Sequence, residues 1–314
     1  MSNQYQNPID LWERPEAEEI YMISGWRQWA DAGSVSSGLV SYLIQKNHAR
    51  PIGQVNPDGF YLFQIPGTHD LVRPEIKHRD GFTEVLHAPR NEYFYSGNEK
   101  LGLVYFLGDE PHLDAERYST AFLNTAKDLG VKRIIGLGGV YGELPYEKER
   151  MVSAIYSMEK MKDELDQYSV TLSNYHGGAS IESYICKRAG ERSQEFTAFY
   201  AFVPTYDFSG LVQVDKSIRI ENDFMAWLGV MRRINHMLKF NFDLTDLEEK
   251  SRHLVELMDN EIEEIQKNSK VDLKAYMDKL GEDFVENPFT PQDMFWEEKL
   301  KGLFDRLDSD DSQE

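Results

Sequence analysis

The chain contains a single cysteine, Cys186, among its 314 residues, so it cannot form an internal disulfide. One cysteine is typical of a reducing compartment, and we predict a cytoplasmic protein. The sequence also has no uninterrupted apolar run of the roughly 18 residues that a membrane span needs. Its N-terminal segment is acidic rather than basic, which does not resemble a secretory signal.

Positive charge is scarce in this sequence. Lys and Arg together number 34 against 54 Asp and Glu, and the formal net charge is −20. No cluster of Lys and Arg stands out along the chain. Because nucleic-acid binding needs a basic surface, we predict neither a DNA nor an RNA partner.

No complete catalytic or cofactor motif is present. "GLGGVYG" at 136–142 follows a predicted strand, but Tyr141 stands where a dinucleotide fingerprint needs its third glycine. "GWRQWADAG" lacks the spacing of a phosphate-binding P-loop, and the eight histidines show no HExxH pattern. We therefore predict no cofactor and no metal, and we favour a protein that is not an enzyme.

Alternating strand and helix patterns indicate an α/β fold. The apolar run "LGLVYFLG" at 101–108 is typical of a central parallel strand that is covered on both faces. A helical pattern over 114–130 and a strand over 131–139 follow it, which makes a βαβ unit. We predict a mostly parallel sheet flanked by helices. Further strands are predicted at 19–25, 169–174 and 196–204, short strands within 51–67 and 81–95, and further helices near 158–167 and 179–189. Another helix is predicted after Asp31, where Val35, Leu39, Tyr42 and Leu43 recur at helical spacing.

The C-terminal part differs from the rest in both pattern and charge. Strand patterns stop after about residue 220, and 246–314 contain 21 acidic and 9 basic residues. Helical patterns cover 245–266, 271–283 and 290–307, and the tail "DSDDSQE" is predicted to be disordered. We predict an α/β core domain over 1–240 and an acidic helical extension over 241–314. Whether the extension packs on its own core or on another subunit stays open.

Polar and glycine residues follow several predicted strands. Because the carboxyl ends of parallel strands meet at one sheet edge, the loops that follow them are expected to surround a pocket there. The candidate pocket residues are Trp26, Arg27 and Asp31 after the first strand, Asp109 and Glu110 after the second, Gly138, Gly139 and Arg150 after the third, and His176 and Gly177 in a later loop.

These loop residues allow more than one role. Asp31 can cap the helix that follows it, which makes the first loop a structural corner, or the loop can face a ligand. In a ligand site, Trp26 would stack on a base, arginine would hold an anion, and Glu110 would act as acid or base if buried. His176 lies near Ser180, but the G-x-S-x-G motif of a nucleophile elbow is absent.

Taken together, the loop motifs resemble those of the proteasome assembly chaperone 2 family over about residues 20–210. The family's "GW…DAG" is matched by Gly25, Trp26, Asp31, Ala32 and Gly33, its "G-x-E-P" by Gly108, Glu110 and Pro111, and its glycine-rich strand end by Gly138 and Gly139. Where many bacterial relatives have a "PHTRP"-like segment, this chain has "PYEKER", which keeps Pro145 and lacks the histidine.

The resemblance implies a sheet-centred α/β fold related to nucleoside phosphorylases. It also implies a homo-oligomer, with a trimer slightly favoured, and it implies no established reaction. Archaeal relatives can end in a hydrophobic-tyrosine-X tail that docks into the 20S proteasome. This chain ends "DSDDSQE", so a tail-docking role is not predicted.

We expect a non-enzymatic binding or assembly protein that is chaperone-like, self-associates and binds protein partners. Its chief support is the lack of a complete catalytic set. The alternative is an enzyme or sensor for a small nucleoside-like or anionic ligand, bound at the carboxyl edge of the sheet.

Overall fold

The computed structural model describes residues 8–27, 29–65, 72–207, 217–267 and 272–289. The strands in these ranges are β1 (Ile9–Leu11), β2 (Glu19–Arg27), β3 (Arg50–Val55), β4 (Glu75–Arg79), β5 (Phe82–His87), β6 (Glu92–Gly97), β7 (Leu101–Asp109), β8 (Val131–Gly142), β9 (Val152–Tyr156), β10 (Thr171–Leu172), β11 (Glu195–Asp207) and β12 (Ser217–Arg219). The helices are α1 (Ser37–Lys46), α2 (Ala115–Asp128), α3 (Lys162–Leu165), α4 (Ile181–Glu191), α5 (Phe224–Leu238), α6 (Thr245–Lys267) and α7 (Leu273–Asp283).

One large mixed sheet forms the centre of the described structure. Its strand order is β1-β3-β6-β7-β2-β8-β11-β9-β10, with β12 paired to β11. The four central strands β7, β2, β8 and β11 are parallel to one another. Antiparallel strands flank them, since β6 pairs with β7 and β9 pairs with β11. The predicted α/β class with a mostly parallel sheet is confirmed.

Helices cover both faces of the sheet, which explains why its central strands are apolar throughout. On one face, Tyr118 and Phe122 of α2 and Ile185 of α4 pack on Met22 of β2 in one buried cluster. On the other face, residues of α1, α5 and α6 belong to a second buried cluster that includes Ile23 of the same strand. Neighbouring residues of a strand point to opposite faces, so a strand buried on both sides needs apolar residues at every position.

The helices after residue 240 pack against the α/β part of the chain. Leu247, Met258 and Ile262 of α6 belong to the same buried cluster as the residues of α1 and α5. At the start of α6, the hydroxyl of Tyr42 donates to Asp246 at 2.6 Å. The described part of the acidic extension therefore packs on its own core. The predicted helix at 290–307 and the tail after it lie outside the described residues.

Two predicted segments differ from the structure, and one helix was not predicted. The helix expected at 158–167 is a single turn of α3 between two 3₁₀ turns, and the strand expected at 169–174 pairs only over Thr171–Leu172. No helix was expected over 224–238, where α5 forms. Its buried residues, among them Ala226, Val230 and Ile234, recur at helical spacing and form one apolar face, so the sequence did contain a signal for this helix.

Among the described residues, none of the helices combines the length and the apolar character that a membrane crossing requires.

Candidate functional site

The loops after β2, β7 and β8 meet at the carboxyl edge of the sheet. The backbone N–H of Gly139 donates to the carbonyl of Ala30 at 2.8 Å, which joins the first and third loops. The side chain of Arg27 lies 3.4 Å from the carboxylate of Asp109, which joins the first and second. The structure thus brings together most of the loop segments that the sequence analysis selected.

Asp31 acts on the helix that follows its loop. Its Oδ1 atom accepts hydrogen bonds from the backbone N–H groups of Ser36 at 3.0 Å and Ser37 at 2.9 Å, and its Oδ2 atom accepts from the Ser37 hydroxyl. The helix begins at Ser37, so Asp31 reaches its free N–H groups from several residues upstream. Burial raises the pKa of this carboxyl. Asp31 therefore caps the start of α1 and fixes the turn between β2 and α1.

Trp26 is a core residue in this structure. Its ring packs at centroid distances of 5.3 Å from Phe106 and 5.4 Å from Phe122, and the residue is only 4% exposed. Its indole N–H donates to the hydroxyl of Tyr118 at 2.9 Å. The ring is therefore occupied on the protein side and is not available to stack on a base. The exposed tryptophan of this loop is Trp29.

Asp109 and Glu110 are neighbours in sequence but serve different partners. Asp109 accepts from the backbone N–H of Arg90 at 2.6 Å as well as from Arg27. Glu110 accepts from the backbone N–H of Ile181, the first residue of α4, at 2.6 Å. Burial raises the pKa of Glu110, and its hydrogen bonds with backbone N–H groups oppose that rise. Glu110 thus ties the end of β7 to the start of α4.

The glycines of β8 allow close packing at this edge. A Cβ atom at Gly139 would overlap the carbonyl oxygen of Ala32, and one at Gly138 would overlap the ring of Tyr200. The glycine-rich strand end is thus explained by the close approach of neighbouring atoms rather than by a nucleotide.

Arg150 is buried away from solvent. Its Nε atom pairs with Asp223 at 2.7 Å, and neither side chain is exposed. Its Nη1 atom donates to the carbonyls of Tyr146 and Lys148 at 2.9 and 2.7 Å. Asp223 in turn accepts from the backbone at the start of α5. Arg150 therefore joins the loop after β8 to α5, and its polar contacts lie within the protein.

His176 and Gly177 are exposed on the loop before α4. Ser180, four residues further on, accepts from the backbone N–H of Ser183 and begins that helix. Within the described part of the chain, no hydrogen bond joins the imidazole to this serine, and His176 does not line the recess described next. The two residues do not form a nucleophile and base in this structure.

Glu182 was not selected from the sequence, and it is the most unusual ionisable group at this edge. It lies in the first turn of α4 and is 3% exposed. Its pKa is raised to about 8, mainly by burial; a hydrogen bond with the Tyr200 hydroxyl opposes the rise, and the charge of Glu110 adds to it. One available signal was its position three residues before Ile185, on the apolar face of the predicted helix.

A small recess lies where these loops and α4 meet. Its volume is about 10 Å³, which fits roughly one water molecule and is far too small for a nucleoside. The recess is lined by Trp26, Arg27, Trp29, Ala30, Ser36, Glu110, Ser180, Ile181 and Glu182.

Within the described ranges, no group of three or more His, Cys, Asp or Glu side chains is placed to hold a metal ion. The sequence expectation that the protein needs no cofactor stays a prediction.

The model of the PAC2 family matches residues 25–262 of this chain. The fold is similar to that of a proteasome-assembly chaperone homologue from Mycobacterium tuberculosis, with a TM-score of 0.65 and 19% identity over 77% of this chain and 94% of that one. A second M. tuberculosis protein, of unknown function, has a TM-score of 0.68 and 16% identity over 87% of this chain and 89% of that one. Pyrococcus furiosus PbaB, an archaeal proteasome activator, has a TM-score of 0.57 and 19% identity over 80% of this chain and 97% of that one. At these identities the likeness establishes the fold. No curated protein matches the chain in sequence.

Proposed function

The chain belongs to the PAC2 family, and on that basis we propose that it is a non-enzymatic, chaperone-like assembly protein that self-associates and binds protein partners. A proteasome-assembly chaperone homologue and an archaeal proteasome activator share its fold, which supports a protein as the partner. Its single cysteine fits a cytoplasmic location.

The observation that carries this proposal is the β4–β5 hairpin. Ile76, Phe82 and Leu86 are 56%, 74% and 54% exposed, although all three are large apolar residues. Ile76 lies directly opposite Leu86 in the strand register, so their side chains share one face of the hairpin. The strands β4 and β5 pair with each other and not with the large sheet.

A two-stranded hairpin of this kind has little stability of its own. In water an isolated hairpin is marginally stable at best, and a third strand or a packing surface is usually needed. A contiguous patch of exposed apolar groups is also typical of a site at which a protein contacts a partner. We infer that the face with Ile76 and Leu86 packs against another protein chain, and that a second copy of this protein is one such partner.

The test is the molar mass in solution. We expect the unmodified protein to sediment as an oligomer, with a trimer favoured, and the double variant Ile76→Ser/Leu86→Ser to shift toward the monomer. The matched control is Leu257→Ser, which changes a leucine of similar exposure, 52%, on α6. Removing exposed apolar groups changes folding stability by only about 0.5 kcal/mol, so the thermal unfolding of all variants should stay similar.

Two results would overturn the proposal. One is a monomer for the unmodified protein together with no captured partner that depends on the hairpin. The other is a hairpin variant that keeps the oligomeric mass of the unmodified protein while the Leu257 control loses it.

A further inference from the structure

A second, larger groove lies at the amino edge of the central strands, opposite the edge where the strand-end loops meet. It is lined by Leu101 and Leu103 at the start of β7, by the end of β6 and the turn after it, by Asn47 after α1 and by residues 240–242 after α5. Its volume is about 440 Å³, which falls within the range of roughly 300–1,000 Å³ that small-molecule sites occupy. Unlike the recess at the carboxyl edge, this groove is large enough for a small ligand.

Carboxamide side chains line this groove, and two of them have unused hydrogen-bonding groups. The Oδ1 atom of Asn98 accepts from the backbone N–H groups of Lys100 at 2.9 Å and Leu101 at 3.1 Å, which fixes this side chain in the turn between β6 and β7. Within the described ranges, the Nδ2 atom of Asn98 makes no hydrogen bond, and neither does the carboxamide of the exposed Asn241. A ligand can therefore pair with these amides without breaking a contact inside the protein.

Two half-buried phenylalanines add an aromatic wall. The ring centroids of Phe240 and Phe242 are 5.2 Å apart. Asn235 of α5 holds both residues in place: its side chain exchanges two hydrogen bonds with the backbone of Phe242, at 3.1 and 3.3 Å, and its carbonyl accepts from the backbone N–H of Phe240 at 3.0 Å. The wall is therefore formed before a ligand arrives, which lowers the entropy cost of binding.

Charge is missing from the wall of this groove. Among the described residues that line it, none is an aspartate, glutamate, lysine, arginine or histidine, although the whole chain has a net charge of −20. A phosphate or carboxylate would find no cationic partner there, and an ammonium group would find no carboxylate. The groove is thus suited to an uncharged molecule that has a flat apolar face and polar edges.

We propose that this groove binds an uncharged adenine nucleoside. Aromatic side chains stack on the flat face of any base, so Phe240 and Phe242 supply affinity without choosing among the bases. The choice is made at the base edge: a carboxamide pairs with the adjacent donor and acceptor of adenine, whereas guanine is paired by arginine or lysine and cytosine by aspartate or glutamate. The groove presents carboxamides and none of these charged side chains, which selects adenine.

This proposal does not depend on the assembly role. The residues that line the groove belong to β6, β7 and the segments after α1 and α5, and none of them lies in the β4–β5 hairpin. Its failure would therefore leave the proposed role of the hairpin unchanged. The groove also differs in place from the ligand site that the sequence analysis considered, which was expected at the carboxyl edge of the sheet.

Isothermal titration calorimetry of the unmodified protein with adenosine tests the proposal directly. We expect saturable binding, with guanosine and cytidine at least about tenfold weaker, because each loses the paired hydrogen bonds at the base edge. Adenosine 5′-monophosphate should bind no more tightly than adenosine, since the groove has no cation for the phosphate. The affinity for adenosine should also stay the same at low and high salt, because the contact involves no charged group.

The variant Asn98→Asp tests the carboxamide without disturbing the turn. Aspartate keeps the Oδ1 atom that accepts from the backbone, but it removes the N–H donors and places a negative charge in the groove. We expect adenosine to bind this variant at least about tenfold more weakly. The matched control is Asn56→Asp. Asn56 also accepts from the backbone in an exposed turn, from the N–H of Asp58 at 2.9 Å, but it does not line the groove, so the affinity should not change.

The proposal fails if the unmodified protein shows no saturable heat with adenosine. It fails equally if guanosine or free ribose binds as tightly as adenosine, because the base edge would then not be recognised. Tighter binding of the monophosphate would overturn the uncharged ligand, and a folded Asn98→Asp variant that keeps the affinity of the unmodified protein would remove the groove as the site.

Discussion

Replacing Glu182 by glutamine should change how the stability of the protein depends on pH. Burial raises the pKa of this group to about 8 in the folded chain, against an ordinary value of 4.5 that applies once the chain unfolds. Between these values the folded protein holds a proton that the unfolded chain has released. Its contribution to stability is therefore complete below pH 4.5 and is lost progressively as the pH rises toward about 8.

The size of the effect follows from this difference. Each pH unit in the window lowers the free energy of unfolding by about 1.4 kcal/mol, so the loss between about pH 5 and pH 7.5 is roughly 3 kcal/mol. Glutamine has nearly the same shape and carries no proton that titrates in this range. The stability of Glu182→Gln minus that of the unmodified protein should therefore increase by roughly 3 kcal/mol over the same interval.

Urea unfolding followed by far-UV circular dichroism measures this difference. Taking the difference between the two proteins removes the titration of all groups that they share. Glu191→Gln is the control, because the Glu191 carboxyl is exposed and its pKa is lowered by a hydrogen bond from Arg188. A difference between Glu182→Gln and the unmodified protein that stays constant from acidic to neutral pH would refute the raised pKa and the burial argument behind it.

Two further substitutions test the structure around the site. Asp223→Ala should lower the free energy of unfolding by about 3–5 kcal/mol, because it leaves the buried charge of Arg150 unpaired, whereas Glu13→Gln at the surface should change it by less than about 1 kcal/mol. Equal decreases in the free energy of unfolding for the two variants would show that the buried ion pair contributes no more to stability than the surface pair. Gly139→Ala should lower the thermal unfolding midpoint by an amount equivalent to about 1–3 kcal/mol or more, because the new methyl group meets backbone, whereas Gly178→Ala has room and should not. An unchanged midpoint for Gly139→Ala would contradict the close approach of the first loop to β8.

The regular elements were predictable where the sequence pattern is strong and local. The apolar run at 101–108 became β7, and the helical pattern at 114–130 became α2, which ends before Gly130 in a left-handed conformation. The helix α5 was not predicted, although its buried residues recur at helical spacing as those of α2 do. Of the hairpin β4–β5, only β5 lies within a segment that was predicted to contain short strands, 81–95, and the isolation of the hairpin from the main sheet has no signature in its own sequence.

Whether the candidate residues form a functional site stays a prediction. The strand-end rule selected an edge at which the loops do meet, and Glu110 lines a small recess there. Arg150, which was expected to hold an anion, is instead buried and pairs with Asp223 through its Nε atom. Glu182 was passed over because a glutamate in the first turn of a helix is an ordinary residue until its surroundings are known.

By itself, the sequence determined the α/β class, the parallel centre of the sheet, the acidic helical part and the family. Each of these depends on residue spacing and composition, which are properties of neighbours along the chain. Only the tertiary structure decided which strand-end side chains are buried and which acid stays protonated. Burial and charge state depend on atoms from distant segments, and glycines of β8, the start of α4 and the end of β7 meet around Glu182 only after the sheet has formed.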